Sequence, residues 1–274
     1  MPAKQSRFVL IGYFWPIECR RTVSDLRAAS SDRCNALAFC QGVSQKAALR
    51  FNQDTLGMFD AAAARRMMVD GQIRTADITN LELLAAMQAV PRELFVPPAL
   101  TAQAYSDGEI ELGSGRALLR PMALAKLIQA ANVRPGDNVL DVGCGTGYSS
   151  AVLSQLGASV VALEEDAELA RAAEAALTAV DARQVKLVKG PLINGWPQAA
   201  PFEVILFEGA TEIVPNALGD QLTPLGRLAA IFGGRPAAKA MIYRRIEGHL
   251  LGRPIFEAAA RVLPGFAAPA TFVF

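Results

Sequence analysis

The sequence predicts an α/β protein built on a doubly wound, mostly parallel sheet, with an antiparallel edge strand near the C-terminus and a helical elaboration at the N-terminal side. Three observations predict it. Short apolar runs of strand length recur between residues 139 and 231, stretches of helical composition lie between them, and a glycine-rich turn joins one run to the helix behind it. With 274 residues, 52% of them hydrophobic, the chain can bury one sizeable core with elaborations.

In chain order, residues 59 to 74 have helical composition, and Leu81, Leu84, Ala85 and Met87 recur at helical spacing behind a Thr79-Asn80 cap. Pro121 suits a first helical turn, and Leu124, Leu127, Ile128 and Ala131 form an apolar face that ends at Arg134-Pro135-Gly136. Residues 139–142, 160–163, 185–188, 204–207 and 228–231 then read as buried strands. Residues 148–156, 167–179 and 215–222 read as the helices between them. The tail offers a strand-like run at 241–246, a turn at Gly248-His249 and a last run at 271–274, placed together as antiparallel edge strands or a hairpin.

Residues 1 to 57 read differently from the rest. They hold eight Lys/Arg, four Asp/Glu and three of the four Cys, without sustained periodicity. The expected organisation is therefore a poorly ordered or non-native extension over 1–57, a helical cap and substrate-side segment over 58–120, and the ligand-binding domain over 121–274. The competing expectation for the first part is a small helical element docked on the body.

Composition excludes several function classes. The 27 basic and 26 acidic side chains create no basic field to recruit nucleic acid, and no apolar run reaches the length of a membrane span. The apolar stretch 8–17 follows Lys4 and Arg7 but runs into Glu18, Arg20 and Arg21 with no small-residue cleavage site, so the protein is expected to be cytoplasmic. Four Cys without a CxxC pair, and His249 as the single histidine, cannot assemble a usual zinc site or a His-dependent triad, and no metal is expected.

The chemistry begins at Asn138-Val-Leu-Asp-Val-Gly-Cys-Gly-Thr-Gly-Tyr148, a strand running through a glycine-rich turn into a helix. Glycines at 143, 145 and 147 let the backbone turn sharply and approach a ligand that any Cβ would obstruct. The spacing is neither that of the dinucleotide fingerprint nor that of a P-loop. Asp141, two residues ahead of the first glycine, resembles the motif of S-adenosyl-L-methionine-dependent methyltransferases. Glu164, 21 residues after Gly143, directly ends the next apolar run, where a carboxylate can accept hydrogen bonds from both hydroxyls of a ribose. The candidate cofactor residues are Asp141, Gly143, Cys144, Gly145, Thr146, Gly147 and Glu164. Glu165 and Asp166 read instead as helix-capping residues, and Cys144 as a small packed side chain.

With these residues in hand, the stretch from Met67 to Ile231 resembles the protein-L-isoaspartate O-methyltransferase family. The resemblance is carried by Val90-Pro-Arg-Glu-Leu-Phe-Val-Pro97, Ala104-Tyr-Ser-Asp107, the cofactor turn, Gly195-Trp-Pro197 with Ala200-Pro-Phe-Glu-Val-Ile205, and Gly226-Arg-Leu228. It implies a Rossmann-like class I methyltransferase fold, S-adenosyl-L-methionine as cofactor, and carboxyl O-methylation of isoaspartyl residues in peptides or proteins as the reaction. Two departures stand out. Ala117 and Leu119 occupy positions where the family carries Thr and Ser, and Pro191 stands where an adenine-contacting Asp is expected. No catalytic side chain is assigned; Arg116 and Arg120, at two family Gln positions, are candidates for binding a substrate carboxylate. The alternatives are a methyltransferase for another carboxylate or small-molecule acceptor, or a non-catalytic cofactor-binding partner protein.

Overall fold

The computed structural model describes residues 60–234 and 237–269, so the expectations for residues 1–57 and for the last run at 271–274 lie outside the described residues. Helix α1 (Ala61–Met68) starts where the Asp60 carboxylate accepts the Ala63 N–H at 2.9 Å, satisfying one orphan donor of the first turn. It continues through a π-helical turn and a 3₁₀ turn to Asp77. Helix α2 (Leu81–Ala89) is capped by Asn80, as its sequence predicts, and buries Leu83, Leu84, Ala86 and Met87. It stops ahead of Pro91, because the residue before a proline is pushed out of helical geometry.

Two short antiparallel strands follow, β1 (Ile110–Gly113) and β2 (Arg116–Leu118), turning at Ser114 and Gly115. This hairpin was not expected: four and three residues interrupted by glycine carry too little alternation to register as strands. Helix α3 (Pro121–Ala131) begins on its proline and ends at Asn132 in the left-handed region, φ 50°.

The central sheet holds β3 (Asn138–Val142), β4 (Ser159–Glu164), β5 (Val185–Lys189), β6 (Phe202–Thr211), β7 (Leu222–Phe232), β8 (Lys239–Ile246) and β9 (His249–Glu257), in the order β5-β4-β3-β6-β7-β8-β9. Strands β3 to β7 pair parallel, whereas β8 and β9 are antiparallel additions. Helices α4 (Tyr148–Gln155) and α5 (Ala167–Ala179) make the first two crossovers. The crossover expected over 215–222 shrinks to one turn, α6 (Asn216–Gly219). A Cβ on Gly219 would lie 2.6 Å from Leu250 of β9, so the chain turns into β7 where the edge hairpin packs against it. The edge strand is β9, which sequence patterning missed because Gly252 and Pro254 break its alternation. An outermost strand tolerates both, since one of its sides needs no ladder partner.

The order of strand addition reverses about β3: β4 and β5 lie on one side, β6 onward on the other. The carboxyl ends of β3 and β6 thus frame a topological switch point, the crevice in which open α/β sheets bind ligands. Below it the core is apolar on both faces, with Phe207 fully buried and edge-to-face with Phe266 at 5.0 Å between ring centres. Truncating Phe207 to alanine should cost about 3–5 kcal/mol of unfolding free energy. A denaturant titration checks it, and a loss below about 1 kcal/mol would show that this site collapses without a cavity.

Candidate active site

The glycine turn is held by its neighbours on every side. The N–H groups of Gly143 and Cys144 donate to Leu163 O at 2.8 and 3.2 Å, tying the end of β3 to the end of β4. Gly145 N–H donates at 2.8 Å to Glu164 Oε2. Leu112 of β1 covers the turn: a Cβ on Gly145 would come within 2.9 Å of its Cδ1, and φ is +59° there, so only glycine fits without strain. Thr146 is buried, its hydroxyl donating to Phe95 O at 2.5 Å, and Cys144 is buried with its thiol pushed well up by desolvation, as expected of an inert packed cysteine.

Glu164 is wholly buried and multiply bonded. Its Oε1 accepts from Arg116 Nη1 at 2.8 Å and from the N–H groups of Glu165 and Asp166, while among the described residues Oε2 accepts only Gly145 N–H. One lone-pair position on Oε2 is therefore left for a ligand hydroxyl. Arg116, 4% exposed, also donates Nη2 to Gly143 O at 2.6 Å, clamping the strand-end acid to the first glycine. Of the two arginines suggested as a substrate clamp, Arg116 points inward to this pair. Arg120 lies at the surface, 41% exposed, and pairs with Asp107 at 2.8 Å. Sequence reasoning could not assign Arg116 its partner, since Glu164 lies 48 residues away.

Asp141 lies at the heart of the site. Its Oδ2 accepts from the hydroxyls of Ser149, at 2.6 Å, and Ser150, both at the start of α4, while its Oδ1 is buried with no partner among the described residues. Burial pushes its carboxyl up to about 6; the two serine hydroxyls oppose the shift and the neighbouring Glu164 charge adds to it.

Arg92 is a positioning residue that the sequence reading used only as part of a family motif. Completely buried, it donates Nε to Ala104 O at 2.8 Å and Nη2 to Leu119 O at 2.6 Å, and lies over the Tyr148 ring at 4.6 Å. It thereby fixes the backbone of Leu119, whose apolar side chain is buried, beside the start of α4. A second cluster supports it, in which Arg65 bonds Tyr105 Oη at 2.9 Å and Glu93 at 3.0 Å. Near the expected adenine end, Leu192 N–H reaches Glu165 Oε2 at 3.2 Å, so a carboxylate stands beside Pro191 where the family Asp is missing. Trp196 is half-buried against Gly190, and His249 is exposed at the start of β9, just past the turn in which it was expected.

These residues fit a nucleoside-bearing ligand: a turn approachable at its backbone, a strand-end acid with spare acceptor capacity, and orphaned buried oxygen at the switch point. Fold and site together define a class I S-adenosylmethionine-dependent methyltransferase. The model of the family described as Protein-L-isoaspartate(D-aspartate) O-methyltransferase matches residues 63–254, and the chain belongs to that family. It is 45% identical over 174 residues to the protein-L-isoaspartate O-methyltransferase of Methylorubrum extorquens, covering 64% of this chain and 76% of that one. To the Gloeobacter violaceus enzyme of the same name it is 38% identical over 190 residues, covering 69% and 93%. In fold, it is similar to a Plasmodium falciparum structure described as a beta-aspartate methyltransferase in complex with S-adenosyl-L-homocysteine, with TM-score 0.64, 16% identity and coverage of 73% and 97%. The match runs past Ile231, through most of the edge hairpin.

Among the described residues no helix is long and apolar enough to cross a membrane, and no group of three potential metal ligands occurs.

A buried acid whose folded-state pKa is raised binds protons that the unfolded chain has already released, so its stabilising effect is full below about 4 and is lost as pH rises through about 6. Unfolding free energies of the ligand-free protein should therefore lose about 3 kcal/mol relative to Asp141→Asn across that window, at about 1.4 kcal/mol per tenfold change in proton affinity. Parallel pH profiles for the two proteins would show that Asp141 does not titrate there.

Proposed function

We propose that this chain transfers the methyl group of S-adenosyl-L-methionine to the side-chain carboxylate of isoaspartyl residues in peptides and proteins, the reaction from which their return to ordinary aspartate begins. The single observation that carries the reading is the family match over residues 63–254, which spans both the cofactor turn and the substrate-side segment. The relatives at 45% and 38% identity bear that enzyme's name.

The bound cofactor supplies an electrophilic methyl on a sulfonium. Held by the backbone of the glycine turn and by Glu164, it would give that methyl to a carboxylate oxygen with the neutral thioether as leaving group, so that a methyl ester would result. A carboxylate of ordinary pKa, about 4, is already ionised at neutral pH, so the protein needs no general base. Its work is positioning and exclusion of water, which together can supply roughly 7–11 kcal/mol of the barrier.

The residues divide that work. The backbone at Gly143, Gly145 and Gly147 receives the cofactor, and Glu164 accepts from its ribose. Asp141 presents its unpartnered Oδ1 at the switch point. Arg116 is a positioning residue: by holding Glu164 and Gly143 O it keeps the acid aimed at the turn. Arg120, beside Asp107 and lining a surface cavity of about 460 Å³ with Lys239 and Glu257, is the one of the two clamp candidates placed to meet a peptide from solution. The soluble, cytoplasmic setting belongs to the same proposal.

Labelled methyl transfer from S-adenosyl-L-methionine to an isoaspartyl peptide, run beside the same peptide containing aspartate, tests the reading; the isoaspartyl form alone should be labelled. Cofactor binding without labelling of either would favour another acceptor, to which the loss of hydroxyls at Ala117 and Leu119 points, or a non-catalytic role. Arg116→Ala should raise the KM for the cofactor by at least about tenfold with a smaller change in peptide KM, because a buried charge-assisted contact is worth roughly 1.5–3 kcal/mol. Equal rises in both constants would place Arg116 on the substrate instead.

A further inference from the structure

Glu208 is a buried carboxyl that none of the preceding roles uses. It follows Phe207, the last residue of β6 in register with β3, where Phe207 pairs with Val142. That places Glu208 beside Gly143, across the switch point from Glu164. Glu164 and the glycine turn would hold the nucleoside of the cofactor on the β4 side, and Glu208 stands on the opposite, β6 side of the same crevice.

Glu208 is 4% exposed, and its Oε1 has no hydrogen-bond partner among the described residues. A buried polar atom left unpaired costs free energy and is retained where a ligand completes it. Facing it are Asp141 of β3, Cys144 of the turn, Tyr148 and Ser149 of α4, Arg116 of β2 and Arg92 of the preceding turn. Desolvation, reinforced by the Asp141 charge, pushes the Glu208 carboxyl well above the ordinary carboxylate range, and the two arginines only partly offset this. In its protonated form such a carboxyl can donate a hydrogen bond.

The same guanidinium that faces Glu208 also binds the carbonyl of Leu119, the residue standing at the family's serine position. The vacated hydroxyl position and Glu208 are therefore gathered around one buried arginine. We propose that Glu208 is the acceptor-binding residue of this enzyme, its carboxyl group donating a hydrogen bond to one oxygen of the substrate carboxylate while the other oxygen attacks the methyl, in place of the hydroxyls absent at Ala117 and Leu119. The inference rests on the isoaspartyl methyltransferase reading above.

The test is steady-state methyl transfer to an isoaspartyl peptide by the full chain and its Glu208→Ala and Glu208→Gln variants, from pH 6 to 9, with S-adenosyl-L-homocysteine affinity measured on the same samples to establish folding. Glu208→Ala should raise peptide KM about tenfold to a hundredfold while homocysteine-analogue affinity stays within about threefold of wild type, as for loss of one charge-assisted hydrogen bond. Glu208→Gln, whose amide still donates, should keep peptide KM near the wild-type value at neutral pH. It should also abolish the alkaline fall in kcat/KM that wild type shows when Glu208 loses its proton. A purely structural role would not move that pH limb. Unchanged peptide KM in Glu208→Ala, weakened cofactor binding in place of peptide binding, or an alkaline limb surviving in Glu208→Gln would each overturn the role of Glu208 alone. A wild-type enzyme that binds cofactor but labels no isoaspartyl peptide would remove the functional reading and this one with it.

Discussion

The carboxylate of Glu164 accepts four hydrogen bonds from three separate parts of the chain: a side chain of the β1–β2 hairpin, the middle of the glycine turn, and the two residues that lead into α5. In water such an acid would be satisfied by solvent. Here it is wholly buried, and the desolvation it suffers is offset only because Arg116 and three N–H groups converge on it. The geometry of the turn follows from that convergence. Gly145 is held by its N–H and Gly143 by its carbonyl, and Leu112 is brought over the turn on the strand that carries Arg116 in its hairpin.

Around this anchor the site carries more acid than base. Asp141, Glu164 and Glu208 stand against Arg92 and Arg116, all buried within a few residues of the switch point. The excess is accommodated by raising proton affinities: burial pushes the Asp141 carboxyl up to about 6 and the Glu208 carboxyl well above the ordinary carboxylate range. Neither shift comes from a single neighbour. Each arises from desolvation first, with a neighbouring carboxylate adding to it, Glu164 for Asp141 and Asp141 for Glu208. This suits an enzyme whose cofactor brings a positive charge and whose acceptor brings a negative one, since protonation balance can follow occupancy.

Arg92 and Arg116 tie two irregular segments, the 104–119 stretch and the glycine turn, to the scaffold. Both guanidiniums bind main-chain carbonyls, Arg92 those of Ala104 and Leu119, Arg116 that of Gly143. Carbonyl contacts constrain the path of the backbone without constraining which side chain is carried there. The segment 117–119 can therefore depart from its relatives in side chain while its course past α4 is preserved.

Much of the scaffold is legible in the sequence. The apolar runs at 139–142, 160–163, 185–188 and 204–207 each form a sheet strand, because a strand buried on both faces needs nothing more than consecutive branched or aliphatic residues. Asp141, the glycine turn and Glu164 are readable because their spacing is local to one βαβ unit. The β1–β2 hairpin and β9 were not, since glycine and proline erase the alternation that marks a strand, and only pairing with a neighbour makes those residues extended. Only tertiary structure could decide that Arg116 belongs to Glu164 and Arg92 to Leu119, and that Glu208, its Oε1 without a partner among the described residues, stands beside Gly143. These partners lie 27 to 65 residues apart in sequence, and their meaning comes from burial, which no local pattern of residues encodes.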